Sequence, residues 1–129
     1  MEVLYEEIKQ AVLKIPLEET GEELEYRGRS YFVEPFSQQG PAGEYFQSSS
    51  FDGADIYLWE KVPEKFKRPV LLHEIIEADL NIHQNIPKEN AHDEAIKHDM
   101  RFARETLDRK TFKGYEGFRA NAAEFSGGK

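Results

Sequence analysis

A histidine and two carboxylates inside an apolar run constrain this sequence more than any other feature. Residues 71–78 read LLHEIIEA, so that His73, Glu74 and Glu77 fall among large aliphatic side chains. A helix turns by about 100° per residue, which would place His73 and Glu77 on one side, roughly 40° apart. Ionisable groups are costly to bury unless they are paired or bound to a metal. The run therefore predicts a helix, from about Pro69 to Asn81, that carries a polar site on an apolar face.

A second predicted helix, from about residue 88 to residue 107, repeats this arrangement. His92 and Asp99 lie on one of its faces together with small residues that would allow another helix to approach closely. His83, in a loop, and His98, about 120° away from His92, are expected to lie outside such a site. If the two helical faces meet, four potential ligands converge on one point: His73, Glu77, His92 and Asp99.

These side chains suit a divalent metal. The chain contains no cysteine, so thiolate ligands are excluded, and imidazole and carboxylate groups fit Zn²⁺ best, with Fe²⁺ or Mn²⁺ as other choices. Asp99 would either complete the ligand set, which would close the site, or orient a ligand from behind. A buried network in which Glu77 or Asp99 holds the ring of His73 without any metal is the alternative.

The motif His73-Glu74-x-x-Glu77, with His92 downstream, resembles the zincin metallopeptidases, whose signature is H-E-x-x-H on a helix. It departs from that signature at Glu77, where most zincins have a second histidine. The resemblance implies that His73 and Glu77 are metal ligands, with His92 or Asp99 as the remaining one. It also implies that Glu74 is the general base of a metal-dependent hydrolase acting on peptide or protein substrates. The alternative is a non-catalytic regulatory or interaction protein with a structural metal or a buried histidine–carboxylate network.

The remaining pattern predicts one small α+β domain spanning residues 1–129, with an N-terminal helix, a short and mostly antiparallel sheet, and the two helices of the site. The helix covers residues 2–14 and ends at Pro16. A hairpin or bent strand around Gly28 occupies residues 24–35. Further strands are expected at residues 44–47 and 54–60. The core should lie within about residues 1–110, followed by a weakly patterned segment, 111–129.

The strands are rich in aromatic residues, which are expected to belong mostly to the core of the sheet. Two of them, Tyr45 and Phe46, stand between glycine and serine runs and could instead form a lid over a substrate. The aromatic residues considered are Tyr31, Phe32, Phe36, Tyr45, Phe46, Tyr57 and Trp59.

Charge and hydropathy limit the partners. A formal net charge of −8, from 17 basic and 25 acidic residues, argues against binding to a phosphate backbone. No run approaches the roughly 18 apolar residues of a membrane span, and the N-terminus lacks the basic start of a signal peptide. We therefore expect a cytoplasmic protein without nucleic-acid or membrane partners. A homodimer that shares the site between two chains remains compatible with the sequence.

Overall fold

The sheet and the helices of this protein were located in a computed structural model, which describes residues 1–17, 21–37, 42–48, 50 and 52–121. Within these residues the chain forms four α-helices and a four-stranded mixed sheet, so the predicted α+β class is confirmed. A single 3₁₀ turn precedes α2, and a π-helical turn follows it. The elements are α1 (Tyr5–Lys14), β1 (Glu22–Tyr26), β2 (Arg29–Phe36), β3 (Gly43–Phe46), β4 (Ala54–Trp59), α2 (Lys67–Ala78), α3 (Lys88–Thr106) and α4 (Arg109–Asn121).

The strands lie in the order β1-β2-β4-β3. Of the two predicted alternatives around Gly28, the hairpin is the one that forms, from β1 and β2. Its turn places Arg27 (φ 52°) and Gly28 (φ 76°) in the left-handed region that tight hairpin turns require. β3 pairs with β4 antiparallel, whereas β2 and β4 run parallel. The sheet is therefore mostly antiparallel, as predicted, but its central pair is parallel and β3 becomes an edge strand.

Helix α2 lies at the centre of the fold. It contacts β3 and β4 on one side and α1 and α3 on others, so that every residue from Pro69 to Ala78 is buried. This explains why its sequence is apolar nearly all round. The prediction of a buried helix that carries His73 and Glu77 is confirmed. No helix in the described ranges has the length and apolar character that crossing a membrane requires.

The prediction that the aromatic residues of the strands belong mostly to the core is wrong for four of the seven, although Tyr45 and Trp59 do pack against the core. Tyr31 is fully buried against the helices, but Phe32, Phe36 and Tyr57 lie on the opposite face of the sheet and remain partly exposed. The reason is that side chains alternate between faces along a strand, so neighbours such as Tyr31 and Phe32 must point in opposite directions. Phe46 also lies on this opposite face and is 54% exposed.

The segment after residue 110 is not weakly patterned in the part that the structure describes. Helix α4 occupies Arg109–Asn121, and its Tyr115 is fully buried in the core. The rings of Tyr115 and Phe118 pack against Phe66, with centroids 5.3 and 5.1 Å away. The core therefore extends beyond the predicted limit, whereas residues 122–129 lie outside the described residues.

Candidate metal centre

Three donor atoms from α2 and α3 form a small triangle. His73 Nε2 lies 3.0 Å from Glu77 Oε1 and 3.2 Å from His92 Nδ1, and His92 Nδ1 lies 3.1 Å from Glu77 Oε1. A tetrahedral zinc ion with bonds of about 2.1 Å holds its ligand atoms about 3.4 Å apart. An octahedral ion with similar bonds holds neighbouring ligand atoms about 3.0 Å apart. The three distances between donor atoms lie between these two values, so these three side chains could bind one divalent cation with only small movements.

The two helices bring these atoms together for reasons that are visible in the sequence. His73 and Glu77 are four residues apart on α2 and therefore lie on the same face. The facing stripe of α3 contains Ala91, Ala95 and Ala103, all fully buried, which lets the helices approach closely. The side chain of His92 is 26% exposed, whereas those of His73 and Glu77 are almost fully buried. Of the three side chains, that of His92 is therefore the nearest to solvent.

Asp99 lies behind His73 rather than in the triangle. Its Oδ2 atom is 2.6 Å from His73 Nδ1, the ring nitrogen that faces away from Glu77 and His92. A carboxylate in this position fixes the proton on Nδ1 and leaves the lone pair of Nε2 available to a metal. Of the two roles that the sequence left open for Asp99, the geometry corresponds to orienting a ligand.

Asp99 is itself held by α4. Tyr115 donates a hydrogen bond from its hydroxyl to Asp99 Oδ1 (3.0 Å), and Arg119 Nη2 lies 3.3 Å from Asp99 Oδ2. Arg119 Nη2 also donates to the hydroxyl oxygen of Tyr115 (2.9 Å). Asp99 is fully buried, so its charge is balanced inside the protein by Arg119 and by hydrogen bonds.

Sequence reasoning missed Tyr115 and Arg119, although the chain does carry a signal for their helix. Asp108 accepts a hydrogen bond from the backbone N–H of Thr111 (2.8 Å), which is the contact of a helix N-cap. Aromatic residues then recur every three positions, at Phe112, Tyr115 and Phe118. An N-cap followed by this spacing indicates a helix with one apolar face.

Glu74 is a buried carboxylate that directly follows His73 in the sequence. It is 6% exposed, and it forms no hydrogen bond or ion pair with another described residue. Burial raises the pKa of Glu74 to about 7, against the opposing effect of His73. The edge strand passes close by, because a Cβ atom at Gly43 would lie only 2.7 Å from Glu74 Cγ. Glycine at this position therefore leaves the space that the Glu74 side chain fills.

Tyr45 and Lys88 approach the second oxygen of Glu77. The Tyr45 hydroxyl is 3.1 Å from both Glu77 Oε2 and Asn81 Oδ1, and with one proton it can donate to only one of them at a time. Lys88 Nζ lies 3.6 Å from Glu77 Oε2 and 4.6 Å from the centre of the Tyr45 ring. Burial and the neighbouring Glu77 raise the pKa of Tyr45 far above its usual value, so the hydroxyl keeps its proton. Tyr45 thus faces the site.

The charges of the cluster are strongly coupled. Burial alone would lower the pKa of His73, but its hydrogen bonds to Asp99 and Glu77 raise it to about 9. Burial would likewise raise the pKa of Glu77, yet the hydrogen bonds of His73 and His92 hold it well below its usual range. Without a metal, the protonated His73 therefore bridges two carboxylates. Metal binding would replace the proton on His73 Nε2.

The other two histidines lie apart from the cluster, as the sequence predicted. His98 Nε2 is 3.1 Å from Glu94 Oε2, and its ring stacks on that of Tyr5. His83 Nε2 lies 3.0 Å from the carbonyl oxygen of Gly53. Both side chains have local partners, and neither belongs to the group of residues that could hold a metal.

The comparisons with known proteins add no functional information to this geometry. No family model, no curated protein and no solved structure matches the chain. The function must therefore be inferred from the arrangement of His73, Glu74, Glu77 and His92 and of the side chains that support them.

Proposed function

We propose that this protein is a metal-dependent hydrolase in which His73, Glu77 and His92 hold a divalent cation, zinc being the first candidate. The observation that carries this proposal is the triangle of donor atoms. Glu74, which directly follows the ligand candidate His73, is a buried carboxylate without a hydrogen-bond partner among the described residues. Catalytic zinc sites use three protein ligands, whereas structural sites use four. Asp99 contacts the far side of the His73 ring, which keeps it from serving as a fourth ligand.

The donor set fits such an ion. Two imidazole nitrogens and one carboxylate oxygen form a ligand set that zinc peptidases use and that ferrous iron also accepts. The Asp99 carboxylate would keep the ring of His73 in the tautomer that presents Nε2. Tyr45 and Lys88 stabilise the second oxygen of Glu77, so that Oε1 remains directed at the two histidines.

Glu74 would be the general base. A cation bound at the three ligands supplies a Lewis acid and lowers the pKa of a water molecule towards about 7. Glu74 would accept a proton from the attacking water and return it to the leaving group, since no described side chain competes for its carboxylate. Peptide bonds are the proposed substrate, a choice that is supported by the resemblance of His73-Glu74-x-x-Glu77 to the zincin signature.

The first experiment is to measure metal content by mass spectrometry on protein purified without a metal-affinity tag. We expect close to one equivalent of metal in the wild type and none in His73→Ala. His98→Ala is the matched control, because His98 lies on α3 with His92 but outside the triangle. This variant should keep its metal. A wild type that holds no metal even after loading with zinc or iron would refute the proposal.

The second experiment tests hydrolysis with a library of internally quenched fluorescent peptides. Glu74→Gln should lower turnover by about 100-fold or more, because it removes a general base, while metal content and melting temperature stay nearly unchanged. Glu94→Gln, which changes a partly exposed carboxylate beside His98, should leave turnover unaffected. A protein that binds metal but cleaves no peptide would instead favour the structural-metal alternative.

One observation favours a second candidate, a non-catalytic protein stabilised by a buried polar network. Both ring nitrogens of His73 contact a carboxylate oxygen directly, at 2.6 and 3.0 Å, so the cluster is already paired without a metal. In that case His73→Ala would strongly lower the melting temperature of a protein that never contained metal. The measurements of metal content and melting temperature together separate the two candidates.

A further inference from the structure

The face of the sheet that points away from the helices, here called the outer face, carries carboxylates and aromatic rings in alternation. Its side chains are those at the non-core positions of the four strands, which are partly or fully exposed. The pairing register aligns them in rows across the strands, at right angles to the chain direction. The rows are Glu25–Ser30, then Glu23–Phe32–Asp55–Phe46, then Glu34–Tyr57–Glu44, then Phe36–Trp59.

The carboxylates of the outer face form no ion pairs with basic side chains in the described part of the chain. None of Glu23, Glu34, Glu44 and Asp55 forms an ion pair with any residue that the structure describes. No lysine or arginine occupies an outward position on the four described strands, so the strands themselves supply no positive charge to this face. The chain as a whole is also acidic, with a net charge of −8.

One ring of this face is well exposed. Phe46 is 54% exposed, and its ring meets the edge of the Tyr57 ring at 5.8 Å between centroids. Exposed aromatic rings favour burial against a partner. The carboxylates between them oppose burial against an apolar surface, or against the same face of a second copy, because charges of like sign would meet.

A guanidinium group can interact with a carboxylate and an aromatic ring of the outer face at the same time. Residues directly opposite each other on neighbouring strands have Cβ atoms about 4.5–5.5 Å apart, so Phe32, Phe46 and Tyr57 each have a carboxylate beside them within reach of a single ligand group. Arginine pairs with a carboxylate through its planar fork and also stacks on aromatic faces, whereas lysine does so less well. The flanking of Tyr57 by Glu34 and Glu44 provides such a place at the centre of the face.

We infer that the outer face is a docking surface for an arginine-rich segment of a partner protein. The negative charge of the face excludes a nucleic-acid backbone and an anionic membrane as its ligands. This inference does not depend on the metal site, because all of the residues involved lie on the opposite side of the sheet from α2.

Tryptophan fluorescence can be used to measure binding to the outer face. Trp59 is the single tryptophan and is paired with Phe36 at the end of β4, where it is partly buried and also packs against the core. Titration of the full chain with a nine-residue peptide of alternating arginine and glycine should change the tryptophan emission saturably. The effect should weaken as salt is added, because exposed charges are screened. A peptide with lysine in place of arginine should bind less tightly, and one with glutamate should not bind.

Two double variants separate a specific surface from general attraction to an acidic protein. Glu34→Gln with Glu44→Gln should weaken binding of the arginine peptide by about tenfold or more, because two charge-assisted contacts are lost. Glu89→Gln with Glu116→Gln removes the same charge from exposed positions on α3 and α4, and it should change the affinity by less than about twofold. Phe46→Ser, which keeps the charge, should also weaken binding several-fold.

Three results would overturn the inference. The first is the absence of saturable binding by the arginine peptide at low salt. The second is equal weakening in both double variants, which would show attraction to net charge alone. The third is a concentration-dependent dimer in sedimentation experiments that Phe46→Ser dissociates, which would make a second copy of the chain the occupant. All of these variants lie outside the core, and their melting temperatures would confirm that they fold.

Discussion

Replacing Asp99 by asparagine should destabilise the metal-free protein by roughly 3–5 kcal/mol, because it breaks a buried ion pair from one side. Asp99 is fully buried, and Arg119 lies 3.3 Å away with a side chain only 10% exposed. Arg119 Nε has no hydrogen-bond partner among the described residues, so the Asp99 carboxylate is the main compensation for burying the guanidinium. Asparagine keeps the volume of the side chain, and no cavity adds to the loss.

Urea denaturation, followed by circular dichroism, measures this change in the free energy of unfolding. Arg119→Met removes the other partner, and the double variant should lose less than the sum of the two single losses by about 2 kcal/mol or more. Glu94→Gln is the control, since the partly exposed Glu94–His98 pair should contribute less than about 1 kcal/mol. Losses that add within about 0.5 kcal/mol would show that Asp99 and Arg119 do not interact, and would refute the reasoning. If the wild type binds zinc, Asp99→Asn should also weaken that binding by about 10- to 100-fold.

Three further predictions concern other parts of the molecule. Gly43→Ala should cost about 1–3 kcal/mol in urea denaturation and abolish peptide cleavage while metal content stays unchanged, because the new Cβ atom displaces Glu74. Tyr115→Phe should cost about 1.5–3 kcal/mol in the same denaturation assay, since it leaves a buried carboxylate with one donor fewer. The hydrogen bond from Tyr5 and two neighbouring basic side chains lower the pKa of Glu105 from 4.5 to about 2, so its contribution to stability is complete above pH 4.5 and is lost as the pH falls towards 2. Melting temperatures across this range should show a difference between wild type and Glu105→Gln that shrinks as the pH falls; a constant difference would contradict the shift.

The parts of the site that the sequence predicted depend on local geometry. The spacing of His73 and Glu77 fixes their common face as soon as α2 is a helix, and the same holds for His92 and Asp99 on α3. The buried alanines of α3 then make the close approach of the two helices the expected packing. Predicting that His73, Glu77 and His92 meet therefore required only the helical period and one correct assumption about which helical faces pack together.

The parts that the sequence did not predict depend on contacts between distant elements. The position of Tyr45 beside Glu77 follows from the pairing of β3 with β4, and a four-residue strand between glycine and serine runs carries too little pattern to fix that register. The two faces of β4 were also ambiguous, because one bears Ile56 and Leu58 and the other bears Tyr57 and Trp59. The acidic residue Asp55 marks the outward face: it lies two residues before Tyr57 and therefore on the same side of the strand, so its charge, rather than the hydrophobicity of the rings, indicates the direction.

Helix α4 shows why potential ligands on two neighbouring helices do not by themselves make a site. Through Tyr115 and Phe118 it packs on Phe66, which immediately precedes α2, and through Tyr115 and Arg119 it holds Asp99 on α3. The same helix therefore braces the start of one ligand-bearing helix and a buried carboxylate of the other. A shift of α4 would act on the distance between α2 and α3 and on the ring orientation of His73 together. Because metal affinity depends on both, we expect the C-terminal helix, which contains no ligand, to set the strength of the site as much as the ligands do.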